Sequence, residues 1–198
     1  MADAEFSDAS DAPGFLTGRA LIAMPGIEDP RFERAVVLIC AHNRDLAMGL
    51  TLNRPVDGLT VPSLMEKLGV ESDITLPEDL VLLGGPVETE RGFVLHTDDY
   101  LSAGSSTKVV DGVVLTGTRE VLEAIASHNQ RPRKSLLALG YSGWGPGQLE
   151  REIRENVWLT CDPDEALMFG HDYEHKWSTA LAKIGVSAER LSSQAGRA

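Results

Sequence analysis

The segment Gly140-Tyr141-Ser142-Gly143-Trp144 invites comparison with the Gly-x-Ser-x-Gly elbow that carries a nucleophilic serine. The elbow needs both glycines because its sharp strand-to-helix turn leaves no room for side chains. Here the second glycine comes one residue early, at Gly143, and Trp144 occupies the required position. We therefore expect a strand-to-helix connection whose glycines adopt unusual φ values, and no catalytic serine.

Cys40 and His42 are the second candidate pair, since residues two apart on a strand point to the same face. An activated cysteine needs a base within hydrogen-bonding reach and electropositive surroundings. Cys40 instead ends the apolar run Ala35–Cys40, which favours a small buried side chain. Catalysis or redox sensing by this pair is the alternative.

His171 and His175 have the i, i+4 spacing with which two imidazoles on one helix face bind zinc, and Asp162 or Asp164 would supply a third ligand. Asp172 stands where the His-Glu-x-x-His motif has glutamate, and Gly170 indicates that a helix ends there. We expect a solvated loop and no metal. The chain also lacks the glycine-rich motifs that bind nucleotide phosphates, so we expect no cofactor.

Glycine-rich turns with charged and aromatic neighbours remain as a candidate binding surface. Glycine permits close backbone approach, and turns that carry Arg or His can bind an anion or a peptide. The alternative is that these glycines only reverse strands. The candidate surface consists of Asn53, Arg54, Gly84, Gly85, Pro86, Arg91, Gly92, His96, Tyr141, Gly143 and Trp144.

The charge of the chain argues against direct nucleic-acid binding. Its 198 residues include 30 acidic side chains against 18 Lys and Arg, a formal net charge of −12. Proteins bind duplex phosphates through clustered Lys and Arg, and the densest basic run here, Arg131-Pro132-Arg133-Lys134, is short and interrupted.

No segment approaches the roughly 18–20 apolar residues that cross a bilayer. With no secretory signal at the start, we expect a cytoplasmic protein with no membrane association, in which Cys40 and Cys161 stay reduced.

Strand pairs with short turns alternate irregularly with helices. Asp111-Gly112 joins two apolar runs as a two-residue hairpin turn does, whereas residues 118–127 and 148–155 have helical patterns. This mixture predicts an α+β fold rather than a regular parallel βαβ array. We expect a disordered acidic tail over residues 1–13, one domain over 14–186 and a flexible C-terminal tail over 187–198.

Short motifs along residues 15–185 together resemble the bacterial YqgE/AlgH family, and their combination is far more specific than any one of them. These motifs, in order, are Ala23-Met24-Pro25, Asp29-Pro30-x-Phe32, Cys40-x-His42-Asn43, Ala47-Met48-Gly49-Leu50, Asn53-Arg54-Pro55, Gly84-Gly85-Pro86-Val87, Arg91-Gly92-Phe93-Val94-Leu95-His96, Leu139-Gly140-Tyr141, Gly143-Trp144, Gly147-Gln148-Leu149-Glu150 and Trp158-Leu159. Leu46 departs from the family pattern, which usually has glycine there.

The resemblance implies a mixed, largely antiparallel sheet wrapped into an irregular barrel-like shape with peripheral helices. It also implies a cytoplasmic bacterial protein, from a family often labelled as transcriptional regulators and without an established enzyme activity. We expect a non-enzymatic interaction or regulatory protein that acts through an unidentified protein partner. The alternative is a small-molecule-binding protein or an enzyme, with a pocket beside Gly84-Gly85-Pro86 and the turns from Arg91 to His96.

Overall fold

A computed structural model of the chain describes residues 14–194. Within this range ten strands form: β1 Ala20–Ala23, β2 Val36–His42, β3 Ala47–Thr51, β4 Pro55–Thr60, β5 Leu80–Leu83, β6 Val87–Thr97, β7 Ser106–Val110, β8 Val113–Thr116, β9 Ser135–Trp144 and β10 Trp158–Cys161. Six α-helices accompany them: α1 Val61–Lys67, α2 Arg119–Ile125, α3 Gln148–Arg154, α4 Glu165–Phe169, α5 Lys176–Lys183 and α6 Ala188–Gln194. A 3-10 helix, Pro30–Phe32, lies between β1 and β2.

The strands form one curled sheet in the order β10-β1-β2-β3-β9-β6-β8-β7, with β5 paired to β9 and β4 paired to β5. Among the strands of residues 14–194, only the β5–β9 pair is parallel. The far edge, β7, curls back toward β2. Gly18 donates its N–H to the Ile39 carbonyl of β2 at 2.8 Å, and it lies so close to β7 that a Cβ on it would be 2.8 Å from the Val109 carbonyl oxygen. The prediction of an α+β fold with a mixed, largely antiparallel, barrel-like sheet and peripheral helices is therefore confirmed.

Alternation along β2 divides the core between the two faces of the sheet. Val36 and Leu38 belong to the larger cluster, which α4 and α5 cover with side chains such as Trp177 and Leu181. The intervening Val37 belongs to a second cluster. Fully burying one such side chain stabilises the folded protein by about 1.5–3 kcal/mol. The packing on both faces therefore holds the sheet in its curl.

Glycines allow the chain to cross β9 between β5 and β6. Strand β5 lies on one edge of β9 and β6 on the other, so residues 84–86 pass over the face of β9. Side chains on Gly84 and Gly85 would overlap the backbone of β9 at Gly140 and Tyr141, and Gly140 has a φ of +73°. These glycines are therefore required for the crossing.

The Asp111-Gly112 hairpin forms as predicted, with Val110 opposite Val113 and a φ of +79° at Gly112. Strand β4 was not predicted, because Pro55, Asp57 and Gly58 have low strand propensity.

The ends of the chain bear on the predicted domain boundaries. The acidic tail predicted over residues 1–13 lies outside the described residues. Within the tail predicted over 187–198, residues 188–194 form α6, and its Ala188 and Leu191 pack against the core. The flexible tail stays a prediction. Residues 195–198 also lie outside the described range, and a single domain over 14–186 stays a prediction.

Candidate functional site

A cleft of about 800 Å³ opens beside the end of β9. One wall is the β1–β2 connection, and the opposite wall is α3 with the turn that follows it. We call this space the Trp144 cleft. Its lining includes Glu28, Asp29, Arg31, Phe32, Pro86, Val87, Ser142, Gly143, Trp144, Gln148, Glu152, Glu155 and Trp158.

Glu152 is the hydrogen-bonding centre of the cleft. Its Oε2 accepts the indole N–H groups of both Trp144 and Trp158, each at 2.9 Å. Its Oε1 accepts the side-chain amide N–H of Gln148, also at 2.9 Å. The indole rings of Trp144 and Trp158 meet edge to face with centroids 6.1 Å apart. This network joins α3 to the strands on either side of it.

The local sequence explains how α3 presents Glu152 to both tryptophans. At its C-terminus Asn156 adopts a left-handed conformation with φ of 57°. The N–H of Asn156 donates to the Ile153 carbonyl at 3.0 Å, and the N–H of Val157 donates to the Glu152 carbonyl at 2.9 Å. This pair of bonds is the Schellman arrangement, which turns the chain so that β10 begins at Trp158, two residues after Asn156.

Ser142 contributes a buried polar group to the cleft wall. The residue is 1% exposed, and its Oγ has no hydrogen-bond partner within residues 14–194. Ser142 and Trp144 are two apart on β9 and therefore lie on the same face, opposite to Tyr141. An unpaired buried hydroxyl costs about 1–3 kcal/mol, and this cost is removed when the hydroxyl gains a partner.

Acidic side chains predominate at the cleft. Its lining has four carboxylates, Glu28, Asp29, Glu152 and Glu155, and one basic side chain, Arg31. The Arg31 guanidinium binds Asp29, with Nη2 2.6 Å from Oδ2, and this bond holds the pKa of Asp29 below its usual value. The local charge of the cleft is therefore negative.

The structure brings Pro86, Gly143 and Trp144 of the predicted surface together in the lining of this cleft. Two more of its residues support the wall opposite. Asn53 accepts the Val36 N–H at 3.0 Å and donates to the Arg34 carbonyl at 2.8 Å. Arg54 donates to the carbonyl of Glu33. Asn53 and Arg54 thus position the β1–β2 connection, whereas Gly84 and Gly85 are buried at the chain crossing.

Arg91, Gly92 and Tyr141 lie on a neighbouring patch. Between the pairs Val87–Tyr141 and Gly92–Leu139, residues 88–91 bulge away from β9. The Arg91 guanidinium lies 3.6 Å from the Glu88 carboxylate and 5.1 Å from the centre of the Phe93 ring. Burial raises the pKa of the Tyr141 phenol, and the nearby Glu88 raises it further. The patch is adjacent to the cleft, since Pro86 borders both.

His96 does not lie on any surface, and its place in the predicted surface was wrong. It is fully buried, because it faces the interior from the paired region of β6. Nδ1 lies 2.9 Å from the Thr97 carbonyl oxygen, and Nε2 lies 2.8 Å from the Thr116 hydroxyl. The carbonyl requires a proton on Nδ1, so the Thr116 hydroxyl donates to Nε2. Burial lowers the pKa of this imidazole.

Cys40 and His42 do not share a face, contrary to expectation. The register of β2 against β3 shifts between Ile39 and Ala41, and a β-bulge reverses the alternation beyond it. Burial raises the Cys40 pKa to about 12, which keeps the thiol protonated. His42 turns to α3, where its Nε2 lies 2.9 Å from Glu150 Oε1 and its Nδ1 accepts the Leu16 N–H at 3.0 Å.

His171 and His175 precede α5 and do not lie on one helix face. His175 Nδ1 lies 2.8 Å from Asp172, whereas His171 Nε2 lies 3.6 Å from Asp79. In the described part of the chain, no three His, Cys, Asp or Glu side chains are grouped so as to hold a metal ion.

Sequence reasoning missed Glu152, Trp158 and the β1–β2 wall as parts of the site. One signal was present, because Trp144 and Trp158 flank a short helix that carries a glutamate. The wall opposite comes from residues more than a hundred positions earlier, and no local pattern indicates that pairing.

Comparison with known proteins matches residues 20–189 to the family model described as AlgH-like. The chain belongs to the AlgH-like family. A UPF0301 protein of Caulobacter vibrioides is 66% identical over 93% of this chain and 94% of its own length. A UPF0301 protein of Ruegeria pomeroyi is 52% identical over 92% of this chain and 99% of its own length.

Two solved structures share the AlgH-like fold. The solution structure of the AlgH protein from Pseudomonas aeruginosa is 41% identical, has a TM-score of 0.73 and covers 94% of this chain and 98% of its own. A protein of Corynebacterium diphtheriae is 20% identical with a TM-score of 0.68, covers 84% of this chain and 85% of its own, and shows the fold alone. The resemblance to the YqgE/AlgH family is thus confirmed. Among the described helices, none has the length and apolar character needed to cross a bilayer.

Proposed function

We propose that this AlgH-like protein is a non-enzymatic, cytoplasmic binding protein that acts on its targets through a protein partner seated in the Trp144 cleft. The observation that carries the proposal is the unpaired, buried Ser142 hydroxyl in the wall of a cleft of about 800 Å³. Buried polar groups in proteins are nearly always hydrogen-bonded, so an unpaired one in a cleft wall points to an occupant.

The geometry favours binding over catalysis. Ser142 has no hydrogen-bond partner among the described residues, so no base there activates it as a nucleophile. The Glu152 carboxylate already accepts three hydrogen bonds that fix its position. Groups held in this way serve recognition, because their geometry is set before the partner arrives.

A regulatory role would operate through this partner. The formal net charge of −12 and the acidic lining of the cleft both oppose phosphate binding. Any effect on gene expression would then depend on the partner that the cleft engages. Retardation assays with duplex DNA at low salt should accordingly show no shift.

Site-directed photo-crosslinking in bacterial cells tests the proposal. A photoreactive amino acid replaces Val87, which lines the cleft and is 37% exposed. The control position is Asp57, which is exposed and does not line the cleft. A discrete adduct from position 87 that is absent from position 57 is expected. Identical adduct patterns from the two positions would rule out the cleft as the contact site.

Small-molecule binding is the second candidate, because the cleft volume falls within the roughly 300–1,000 Å³ typical of ligand pockets. A ligand that binds only the folded state raises the unfolding temperature. A thermal-shift screen of metabolites against wild type and Ser142→Ala distinguishes this candidate. Small-molecule binding predicts at least one compound that raises the unfolding temperature, with a weaker effect in the variant. If no compound stabilises the protein at millimolar concentrations, this second candidate function is excluded.

A further inference from the structure

We infer that the Trp144 cleft receives an arginine- or lysine-bearing segment of the partner protein. This inference deepens the proposed function and rests on it. It follows from the charge of the lining, the unused acceptor capacity of Glu152 and the aromatic ring of Phe32.

Two carboxylates of the lining, Glu28 and Glu155, are not neutralised by an ion pair among the described residues. Both are exposed. The basic side chain of the lining, Arg31, is bound to Asp29 through both its Nε and Nη2 atoms. The cleft therefore presents unbalanced negative charge, which attracts a cation from outside.

Glu152 can accept a further hydrogen bond. A carboxylate has about four lone-pair positions, and the two indoles and the Gln148 amide occupy three of them. The remaining position lies on Oε1, which accepts only from Gln148. A guanidinium or ammonium N–H meets this need with a charge-assisted bond, whereas a carboxylate ligand would be repelled.

Phe32 supplies a partly exposed aromatic ring in the same lining. It packs edge to face on Trp158 with centroids 5.6 Å apart, so its orientation is fixed. A cation within about 6 Å of such a ring is attracted to its face. The hydroxyl of Ser142 can accept from the occupant as well as donate to its backbone carbonyl. Together these groups match a cationic side chain on a peptide backbone.

The tryptophan side chains provide the readout. The indole N–H signals of Trp144 and Trp158 in a nitrogen-15 NMR spectrum report on the two groups that donate to Glu152. The Trp177 indole donates to the Ala23 carbonyl at 2.8 Å, does not line the cleft and serves as an internal control. The probes are the blocked peptide Gly-Arg-Gly-Arg-Gly, the matched peptide Gly-Glu-Gly-Glu-Gly, and spermidine.

The arginine peptide should shift the Trp144 and Trp158 signals saturably and leave the Trp177 signal in place. The glutamate peptide and spermidine should not produce this change. Replacing Glu28 and Glu155 by glutamine should lower the affinity for the arginine peptide roughly three- to tenfold, since exposed ion pairs contribute modestly to binding. The charge-matched control, Asp57→Asn with Glu66→Gln, changes exposed acids outside the cleft and should leave binding unchanged.

Equal responses to both peptides, or no response to the arginine peptide, would overturn the inference. A response to spermidine as strong as that to the arginine peptide would show that the cleft binds a free polyamine equally well. That result would overturn the inference that it receives a segment of a protein. Failure here is distinguishable from failure of the proposed function. If the adduct at position 87 forms equally well in wild type and the Glu28→Gln, Glu155→Gln variant, a partner binds the cleft without needing its charge. If no adduct forms, the proposed function itself fails.

Discussion

The indole N–H of Trp144 donates to Glu152 Oε2 at 2.9 Å, and the same oxygen accepts the indole of Trp158. One carboxylate thereby connects the end of β9, the middle of α3 and the start of β10. The rigid wall of the cleft depends on this connection, because it fixes both rings and the helix between them.

Removal of the Glu152 carboxylate should destabilise the protein. Glu152→Ala leaves two indole N–H groups without an acceptor, at a cost of about 1–3 kcal/mol in the free energy of unfolding. Urea denaturation measures the change. Glu152→Gln keeps one carbonyl oxygen as acceptor, so its free energy of unfolding should fall by less. Exposed Glu155, replaced by alanine, is the control and should change stability by less than about 0.5 kcal/mol. Equal losses in Glu152→Ala and Glu155→Ala would contradict the structural role of Glu152.

Two glycines of the predicted surface should differ in how well they tolerate substitution by alanine. A side chain on Gly85 would overlap the backbone of Tyr141, so Gly85→Ala should destabilise by about 3 kcal/mol or more. A side chain on Gly92 would lie 3.9 Å from the Leu139 side chain, and Gly92→Ala should be tolerated. Thermal unfolding of the two purified variants makes the comparison. Similar unfolding temperatures would show that the crossing does not require Gly85.

Burial of His96 predicts a loss of stability in mild acid. The pKa of the folded-state imidazole lies below its usual value of 6.5, because burial disfavours the charged form. As the pH falls through 6.5, the unfolded chain binds a proton that the folded protein does not, so unfolding becomes more favourable. Urea midpoints should therefore decline between pH 7.5 and 5, and this decline should be smaller in His96→Asn.

His175 provides the control for that experiment. Its pKa is raised by Asp172, so its contribution has the opposite sign: present in acid and lost as the pH rises. His175→Asn should therefore not reduce the acid-dependent decline. A decline in His96→Asn as large as in wild type would contradict the account.

Lys176 should be a destabilising residue. Its side chain is 3% exposed, its Nζ has no hydrogen-bond partner in the described part of the chain, and burial lowers its pKa to about 8. The Tyr173 ring, 5.4 Å from Nζ, compensates only in part. Lys176→Met should raise the free energy of unfolding at pH 7 by about 1–3 kcal/mol.

The pH dependence supplies a second test of Lys176. Between pH 8 and the usual lysine value of 10.5, the unfolded chain holds a proton that the folded protein has released, so stability should rise with pH. The rise should be smaller in Lys176→Met. Lower stability of this variant at pH 7, with the rise unchanged, would contradict the assignment.

Local patterns predicted elements well where each element is decided by its own residues. The apolar run Ala35–Cys40 becomes β2, and Asp111-Gly112 makes the hairpin turn. They failed at His42, because a bulge in β2 depends on pairing with β3 and reverses the alternation. The burial of His96 depends equally on neighbouring strands that a linear pattern does not locate.

The glycines of the predicted surface illustrate the same limit at the site. Gly84 and Gly85 carry a clear family signal, yet their role depends on crossing a strand that lies some fifty residues later in the chain. Trp144 was included in the surface, but its acceptor Glu152 was not, because only the packing of α3 beside the end of β9 brings them together. Non-local geometry of this kind determines the cleft.

Ser142→Ala tests the central claim most directly, because it removes one hydroxyl that the folded chain leaves unpaired. The measurement is the yield of the crosslinked adduct at position 87 in cells, compared with the free energy of unfolding of the purified variant. We predict that stability is unchanged or slightly higher, since no internal hydrogen bond is lost, while the adduct yield falls severalfold. An undiminished adduct yield in a folded Ser142→Ala variant would contradict the claim that a partner occupies the Trp144 cleft and pairs with this hydroxyl.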